Sequence, residues 1–169
     1  MKNILFILFF FNFFFFKSIV IANNIAFIDL NYIINKSIEG KSVINKLENI
    51  NKKNLDLLKK EQLSLNNERD DLEKSKKILS KEALNDRILL LNNKLKKFNE
   101  KQETLSKEFK NLKETEMSNL INKINPIIEK YMIDNNIDMM LKKDNIYISK
   151  SQYDVSNKLI ELINSSFSN

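Results

Sequence analysis

The sequence has neither cysteine nor histidine among its 169 residues. Without a thiol or an imidazole, the chain cannot form a disulfide framework, a cysteine or histidine metal site, or a catalytic triad that depends on either group. It also has no glycine-rich phosphate loop, and its carboxylates lie among lysines in segments typical of solvated helix faces. We therefore expect a protein that is not an enzyme and holds no cofactor or metal.

Glycine and proline are almost absent, since Gly40 and Pro126 are the only examples. Turns and tight loops depend heavily on these two residue types. Charged residues, in contrast, make up 30% of the chain. This composition favours long uninterrupted helices over a compact globule, within about one domain by the usual length prior.

The N-terminus is the most specific segment of the sequence. Lys2 precedes an apolar run of 13 residues, Ile4–Phe16, and modest or small side chains follow at Val20 and Ala22. This pattern predicts a secretory signal peptide over residues 1–22, with cleavage after Ala22. The apolar run is shorter than the roughly 20 residues that span a bilayer. Extending it to the cleavage site would reach that length, so an uncleaved anchor is the alternative.

Cleavage would leave a basic mature chain. Residues 1–22 contain two lysines and no acid, so the remainder carries 26 basic and 22 acidic residues, a net charge of +4. An export signal of bacterial type, on a chain without cysteine, points to the periplasm or the exterior. A net positive surface could attract acidic chains or, weakly, anionic lipid headgroups.

Residues 23–37 predict a strand and a short helix that belong to a small body. The run NIAFIDL at 24–30 is typical of a strand buried on both faces, although periodicity alone leaves a helix open. A helical turn through Tyr32–Ile34 follows. Ser37 is a suitable N-cap for the next helix, with Glu39 placed to complement the helix dipole.

Two seven-residue ladders predict a helical hairpin over residues 38–135. A strict repeat of this kind indicates a coiled coil. The ladders do not share a register, because the position seven residues after Leu79 is Asp86. Ser80 is a good N-cap, so we place the tip of the hairpin at 76–80 and expect an arm about 57 Å long. The first ladder is Leu58, Leu65, Leu72 and Leu79, and the second is Leu84, Leu91, Phe98, Leu105 and Leu112.

Basic side chains along the predicted arm are candidates for contacts with a partner. Acidic residues interrupt the positive charge along the same arm, so a solvated face outweighs any single candidate. Aromatic side chains are too sparse for a protein that stacks on single-stranded nucleic acid, and no nucleic-acid partner is expected. The candidates are Lys59, Lys60, Arg69, Lys76, Lys77, Lys81 and Arg87.

Pro126 lies within the helical run that precedes residue 136, and a kink is expected there. Residues 136–169 are expected to form the second part of the body. Apolar residues alternate on both sides of the polar break at 142–145, which predicts a β-hairpin, and Asp154 is placed to cap a final helix. Two strands alone are marginally stable, so the strand at 24–30 is the expected third. The open edges of three short strands invite pairing with other copies. The alternating residues are Ile137, Met139 and Leu141, then Ile146 and Ile148.

Several segments, which together cover essentially the whole mature chain, are informative through their order and spacing, although none of them is specific alone. After the export signal they are IAFIDLNYII at 25–34, EGK at 39–41, LSKEAL at 79–84, NPIIEKYMIDNNIDMML at 125–141, NIYIS at 145–149 and YDVSNKLIELIN at 153–164. This order resembles the Skp/OmpH family of periplasmic chaperones. Two positions depart from the family pattern, because Asn136 stands where glycine is frequent and Ser156 where threonine is common. Asparagine can also adopt left-handed geometry.

The residues themselves predict a mainly α chain in which a long antiparallel helical hairpin projects from a small sheet of N- and C-terminal strands. The resemblance adds an assembly and an activity to this fold. It implies a homotrimer whose strands combine into one body carrying three arms. It also implies an ATP-independent holdase that binds unfolded outer membrane β-barrel proteins in the periplasm and prevents their aggregation before membrane insertion.

Two other classes of protein explain the heptads equally well. One is an exported structural or tethering coiled-coil protein, anchored by an uncleaved signal segment. The other is a secreted surface helix protein. Neither class gives a reason for strand-like segments at both ends of the mature chain.

Overall fold

A computed structural model describes residues 24–167, which form four α-helices and two short strands. In chain order these are β1 (Ile25–Ile28), α1 (Leu30–Lys36), α2 (Ile38–Ser75), α3 (Lys81–Asp134), β2 (Met139–Lys142) and α4 (Ser156–Ser166). Two 3₁₀ turns, Lys143–Asn145 and Ser151–Tyr153, connect β2 to α4. The prediction of a mainly helical chain with a small sheet is confirmed. The predicted signal peptide and its cleavage site lie outside the described residues.

Side-chain caps begin the first three helices. The Asp29 carboxylate accepts a hydrogen bond from the Tyr32 amide at 2.8 Å and so caps α1. Ser37 and Ser80 cap α2 and α3 by accepting bonds from amides three residues ahead, each at 3.2 Å. These contacts satisfy amides that the first turn of a helix leaves unpaired. The predicted N-caps Ser37 and Ser80 are therefore confirmed.

The break between the two long helices lies at residues 76–80, where the sequence predicts the tip. The second helix, α3, runs for 54 residues and continues through Pro126. It ends in left-handed geometry at Asn136, whose φ is 51°. The Ile137 amide donates to the Met132 carbonyl at 2.9 Å, and the Asn136 amide donates to the Ile133 carbonyl at 3.2 Å. This pair of bonds is a Schellman cap, in which asparagine fills the position that glycine usually takes.

The sheet pairs the first strand of the described chain with the segment that follows α3. Strands β1 and β2 are parallel, with Ile25 opposite Met139 and Ile28 opposite Lys142. Parallel strands require a long crossover, and here both long helices lie within it. Asn24 secures the start of the pairing, because its carbonyl accepts from the Asp138 amide at 2.8 Å and its amide donates to the Asp138 carboxylate at 3.0 Å.

The predicted β-hairpin is wrong in its second half. Only Met139–Lys142 forms a strand, and it pairs with β1 in parallel instead of with residues 146–148. The polar break at 143–145 folds into a 3₁₀ turn. The other edge of β1 is occupied by a single bridge to Asp154, where the Val155 amide donates to the Phe27 carbonyl at 3.1 Å. Both edges of β1 are thus taken, so residues 146–148 have no edge of β1 to join, and the expected three-stranded sheet has only two strands within the described residues.

The core of the body is one apolar cluster, here called the body cluster. Strand β1, helices α1 and α4 and the C-terminal part of α3 all contribute to it, and the N-terminal part of α2 packs against it. Contributions from several elements explain why five of its side chains are almost completely inaccessible to water. The buried members are Ile28, Ile33, Ile34, Leu120, Ile124, Ile128, Leu159 and Ile163.

Gly40 allows α1 and α2 to meet at a sharp corner. A Cβ atom at this position would overlap the carbonyl oxygen of Ile34 and would lie 2.7 Å from the Ser37 hydroxyl oxygen. Both neighbours have fixed roles, because one is backbone and the other is the cap of α2. The single glycine of the chain is therefore required by close approach and not by an unusual backbone angle.

Four ion pairs join α2 to α3 in one constant register. They are Glu39–Lys123 at 2.7 Å, Lys46–Glu116 at 2.7 Å, Glu61–Lys101 at 2.6 Å and Glu68–Lys94 at 2.6 Å. From one pair to the next, the residue number on α2 rises by as much as the residue number on α3 falls. We call residues 48–75 of α2 and 81–116 of α3 the helix pair.

A second apolar cluster, here called the distal cluster, lies within the helix pair. Its buried members are Leu65, Leu72, Leu91 and Phe98. All four belong to the predicted ladders, and ladder residues Leu58 and Leu84 pack against them. The seven-residue repeats thus identify the seam between the two helices correctly in this part of the chain.

Candidate functional site

An apolar groove lies on one face of the small sheet, and we call it the sheet groove. It has a volume of about 380 Å³ and is lined by Ile25, Phe27, Leu141, Ile146, Ile148, Ser149, Lys150 and Tyr153. Several apolar side chains at or near it are exposed, most of all Ile148 at 84% and Tyr147, which is fully accessible. Exposed apolar side chains grouped in this way make the sheet groove a candidate for contact with another molecule.

The sheet groove follows from the way the chain uses its strands. Strand β1 has both edges occupied, whereas the outer edge of β2 has no strand partner among residues 24–167. The segment at 146–148 retains the alternating apolar pattern of a strand without joining the sheet. An open strand edge beside exposed apolar residues is suited to pairing with a further strand.

The turn after β2 is fixed by an ion pair between Asp29 and Lys143. The Lys143 ammonium donates to the Asp29 carboxylate at 2.9 Å, while the other carboxylate oxygen caps α1 by accepting from the Tyr32 amide. The Tyr32 amide, followed by Lys143, lowers the pKa of Asp29 below its ordinary range. Asp29 in turn raises the pKa of Lys143. This contact holds one wall of the body in place beside the sheet.

Helix α4 is attached to β1 by backbone and side-chain contacts. The Asp29 amide donates to the Ser156 hydroxyl at 2.8 Å, and the Ser156 amide donates to the Asp154 carboxylate at 2.9 Å. The prediction that Asp154 is the N-cap of α4 is wrong by one residue, because Val155 occupies the cap position and no side chain caps the helix there. Asp154 still binds the first turn through the Ser156 amide. Ser156 is buried, and its hydroxyl oxygen is the acceptor for the Asp29 amide.

The basic side chains singled out in the sequence lie spread along the helix pair and do not converge. All seven are exposed: Lys59, Lys60, Arg69, Lys76, Lys77, Lys81 and Arg87. Two of them have nearby acidic partners, since Arg69 lies 3.6 Å from Asp70 and Lys76, just after the end of α2, lies 2.6 Å from Glu73. Their arrangement provides a broad charged surface and not a defined anion site.

Exposed apolar residues also lie on the helix pair, outside the ladders. Sequence reasoning from the ladders missed them, although an apolar residue that breaks a seven-residue register is the signal that identifies them. The most exposed is Ile78 in the turn between the helices, at 84%. Others are Leu55, Leu57, Leu63, Leu89 and Leu90, with Ile88 at the lower limit of this group at 36%.

The described residues offer no arrangement suited to metal binding, because no three acidic side chains among them lie close enough to hold an ion. No helix within residues 24–167 is long and apolar enough to cross a membrane. The surfaces that the described residues do present are the apolar sheet groove and the mixed charged and apolar surface of the helix pair.

Comparison with known proteins identifies the fold and the family. No curated protein matches the chain. Among solved structures, it is similar to a candidate outer membrane chaperone (OmpH-like) from Caulobacter crescentus CB15, with a TM-score of 0.77 over 86% of each chain and 17% sequence identity. A family model described as outer membrane protein (OmpH-like) matches residues 24–163. Because this match includes almost every described residue, the chain belongs to the OmpH-like family.

Proposed function

We propose that this protein is an ATP-independent holdase chaperone. It binds unfolded outer membrane β-barrel proteins in the periplasm and prevents their aggregation before membrane insertion. The observation that carries the proposal is the combination, in an OmpH-like chain, of a small body with an exposed apolar sheet groove and a long helix pair that bears exposed apolar side chains.

The helix pair is the arm that contacts the client. Its constant register of ion pairs supports an antiparallel hairpin, in which α3 returns along α2 toward the body. Exposed leucines among lysines and glutamates provide many weak contacts of mixed character along this arm. A binder of many different clients benefits from such a surface more than from one specific pocket.

The sheet groove is the surface through which copies of the chain associate, and a homotrimer is the proposed assembly. The exposed side chains of Ile148, Tyr147 and Met139 support this role. So does the open outer edge of β2 within the described residues. Trimerisation would cover this surface and place three arms around a shared space.

The N-terminal residues 1–22 serve as a cleaved signal peptide in this proposal, with cleavage after Ala22. The mature chain then acts in the periplasm, where its net positive charge adds a weak attraction to anionic lipid headgroups. Its partners are unfolded β-barrel proteins and other copies of itself, and no nucleic acid is involved.

The test uses residues 23–169, purified without nucleotide. We expect light scattering to give the mass of a trimer. We also expect an equimolar amount of trimer to keep a denatured β-barrel protein soluble after dilution from urea. A monomer that gives no protection would contradict the proposal. A dimer that gives no protection, while the full-length chain stays on membranes, would favour the tethering protein instead.

Substitutions in the two surfaces separate assembly from client binding. Met139→Asp places a charge on β2 at a side chain that is 51% exposed, so we expect loss of the trimer with the fold of each chain retained. Lys96→Ala removes an exposed charge of α3 that is 3.9 Å from Glu100 on the same helix, and its native mass should not change. Equal effects of the two substitutions on native mass would count against assembly through the sheet.

A further inference from the structure

A second groove lies where the helix pair meets the body, and we call it the root groove. Its volume is about 440 Å³, which is within the usual range of ligand pockets. Helices α1, α2 and α3 all line it. Each helix contributes residues three or four positions apart, a spacing that places side chains on one face. On α2 these residues are Ile44, Leu47, Glu48 and Asn51.

The floor of the root groove is apolar and is held in place by the body. Ile34 of α1 and Leu47 of α2 are buried, at 5% and 7% exposure. Ile44 and Met117 are partly buried and pack against the body cluster. The shape of the floor therefore does not depend on a bound molecule.

Phe109 of α3 provides an aromatic wall with surface to spare. It lines the root groove but belongs to neither of the two apolar clusters of the described chain, and it remains partly accessible to water. Aromatic rings attract one another in offset-stacked and edge-to-face arrangements. The flexible thioether of Met117 also packs favourably on rings and adapts to side chains of different shape. The root groove is thus suited to an aromatic side chain.

The rim of the root groove is polar but has no net charge. Glu48 and Lys113 supply one charge of each sign, so the rim does not select a strongly charged ligand. The remaining rim residues are Asn31, Asn35 and Asn51, whose side-chain amides carry a donor and an acceptor, as a peptide group does. The Asn35 amide nitrogen donates to the Asn31 carbonyl at 2.8 Å, which leaves the side-chain oxygen of Asn35 as an acceptor. Such a rim matches the backbone of a peptide.

We propose that the root groove binds short extended segments of unfolded β-barrel proteins through an aromatic side chain. Phe109 and Met117 lie on one face of α3, about 12 Å apart along its axis. Alternate side chains of an extended segment are about 7 Å apart, so two or three of them on one side of the segment cover this distance. The strands of β-barrel proteins have this alternating apolar pattern. The class of occupant rests on the proposed chaperone function, whereas the geometry of the groove does not.

A pair of peptides tests the preference for an aromatic side chain. The probe is a short neutral fluorescent peptide in which serine alternates with valine around one central phenylalanine, and the control peptide has alanine in its place. Fluorescence anisotropy with residues 23–169 should show binding of the phenylalanine peptide about tenfold tighter or more, because one more aromatic side chain is buried. Equal affinities of the two peptides would contradict the proposal.

Methionine methyl groups locate the bound peptide. The chain has five methionines, and all but Met1 lie within residues 23–169. Met117 lines the root groove, whereas Met139 is exposed on β2. In NMR spectra of methyl-labelled protein, assigned with Met117→Leu, the phenylalanine ring should shift the signal of Met117 and leave that of Met139 unchanged. A shift of Met139 without one of Met117 would place the peptide at the sheet and overturn the proposal.

Phe109→Ala should weaken binding of the phenylalanine peptide about tenfold, because it removes the aromatic wall. The matched control is Leu89→Ala, which truncates a 61% exposed side chain of the same helix and should leave the affinity unchanged. An equal effect of Leu89→Ala would mean that the peptide binds the exposed leucines in general. A change in the native mass of Phe109→Ala would mean that the groove is a contact between copies of the chain. Either result would contradict the proposal.

The rim is tested separately with Asn51→Leu, which keeps the size of the side chain but removes its amide. We expect several-fold weaker binding, because the backbone of the peptide loses hydrogen bonds. Asn49→Leu makes the same change on the exposed surface of α2 and is the control. Binding that Asn51→Leu leaves unchanged or strengthens would show that the rim does not contact the peptide backbone.

The solubility test of the chaperone function separates the two proposals. A protein that keeps a denatured β-barrel protein soluble, yet does not prefer the phenylalanine peptide, would contradict the root groove alone. A protein that binds this peptide at Met117 but gives no protection would contradict the chaperone function, and with it the β-barrel segment as the occupant.

Discussion

The body and the helix pair bury their side chains to different degrees. Ile33, Ile124, Leu159 and Ile163 in the body are 0% exposed. The best-buried residues of the helix pair, such as Leu65 and Leu91, keep between 5% and 9% of their surface. The difference comes from geometry, because two helices in contact can each cover only one stripe, whereas the body surrounds its core with several elements.

This difference implies separate roles for the two regions. The body has the contacts of an ordinary globular core and sets the stability of the fold. The helix pair depends on a thin seam, half-exposed ion pairs and helix caps, so a substitution there should destabilise mainly the residues around it. Substitutions of the same kind made in both regions therefore test this difference.

The largest difference is expected between Leu159→Ala in the body and Leu91→Ala in the helix pair. Truncating a fully buried leucine typically costs about 2–5 kcal/mol, and the cost rises with the cavity that remains. Leu159 is enclosed on all sides, whereas the space left at Leu91 is open to water along the seam. Urea denaturation followed by circular dichroism should show the larger loss for Leu159→Ala. Equal losses would mean that the seam is packed as firmly as the body.

Gly40→Ala should have the next largest effect, because it disturbs the corner where the two regions join. The added methyl group would overlap the Ile34 carbonyl and press on the Ser37 cap, and overpacking of this kind costs about 1–3 kcal/mol or more. Alanine is normally the better helix former, so the sign of the change is diagnostic. Ser42→Ala, on the exposed surface of the same helix, is the control. A stabilised Gly40→Ala protein in thermal melts would mean that α1 and α2 do not meet this closely.

Much of the helical structure could be predicted from the sequence, because its signals are local. The caps Ser37 and Ser80, the break at 76–80 and the ladder residues of the distal cluster depend on neighbours a few residues away. Left-handed geometry at Asn136 is also a local preference. In these cases the residue type and its spacing are sufficient for the prediction.

The sheet could not be predicted fully, because its pairing depends on distant residues. Alternation at 137–141 and 146–148 favours a hairpin, but it cannot show that β2 would pair with β1 in parallel across the whole helical crossover. Nor can it show that Asp154 would occupy the other edge of β1. The sheet groove results from these long-range choices, so its lining residues become visible only in the folded chain.

A smaller and pH-dependent effect is expected from Asp29→Asn in the body. The Tyr32 amide and, after it, Lys143 lower the pKa of Asp29, so the charge of Asp29 contributes stability above its ordinary pKa of 3.8, and this contribution is lost as the pH falls through the folded-state value. Asparagine can still cap α1, so the substitution mainly removes the charge. Melting temperatures between about pH 2 and pH 7 should show a deficit at neutral pH that disappears in acid.

The control for this titration is Asp56→Asn, an exposed position of the helix pair. Asp56 forms no ion pair with another described residue, so its substitution should leave the pH dependence of the melting temperature unchanged. A deficit of Asp29→Asn that persists at the lowest pH would mean that the side chain acts through capping or packing and not through its charge.

The smallest effect is expected from the ion pairs of the helix pair, where Glu68 and Lys94 provide the clearest case. Their nitrogen–oxygen distance is 2.6 Å, yet their side chains are 40% and 42% exposed. Water and salt screen such a pair, so a double-mutant cycle with Glu68→Gln and Lys94→Gln should give a coupling of about 0.2–1 kcal/mol. The coupling should shrink as salt is added, because the charges lie within reach of mobile ions. A coupling of several kcal/mol that is insensitive to salt would show that the seam excludes water as the body does, and the contrast between the two regions would then fail.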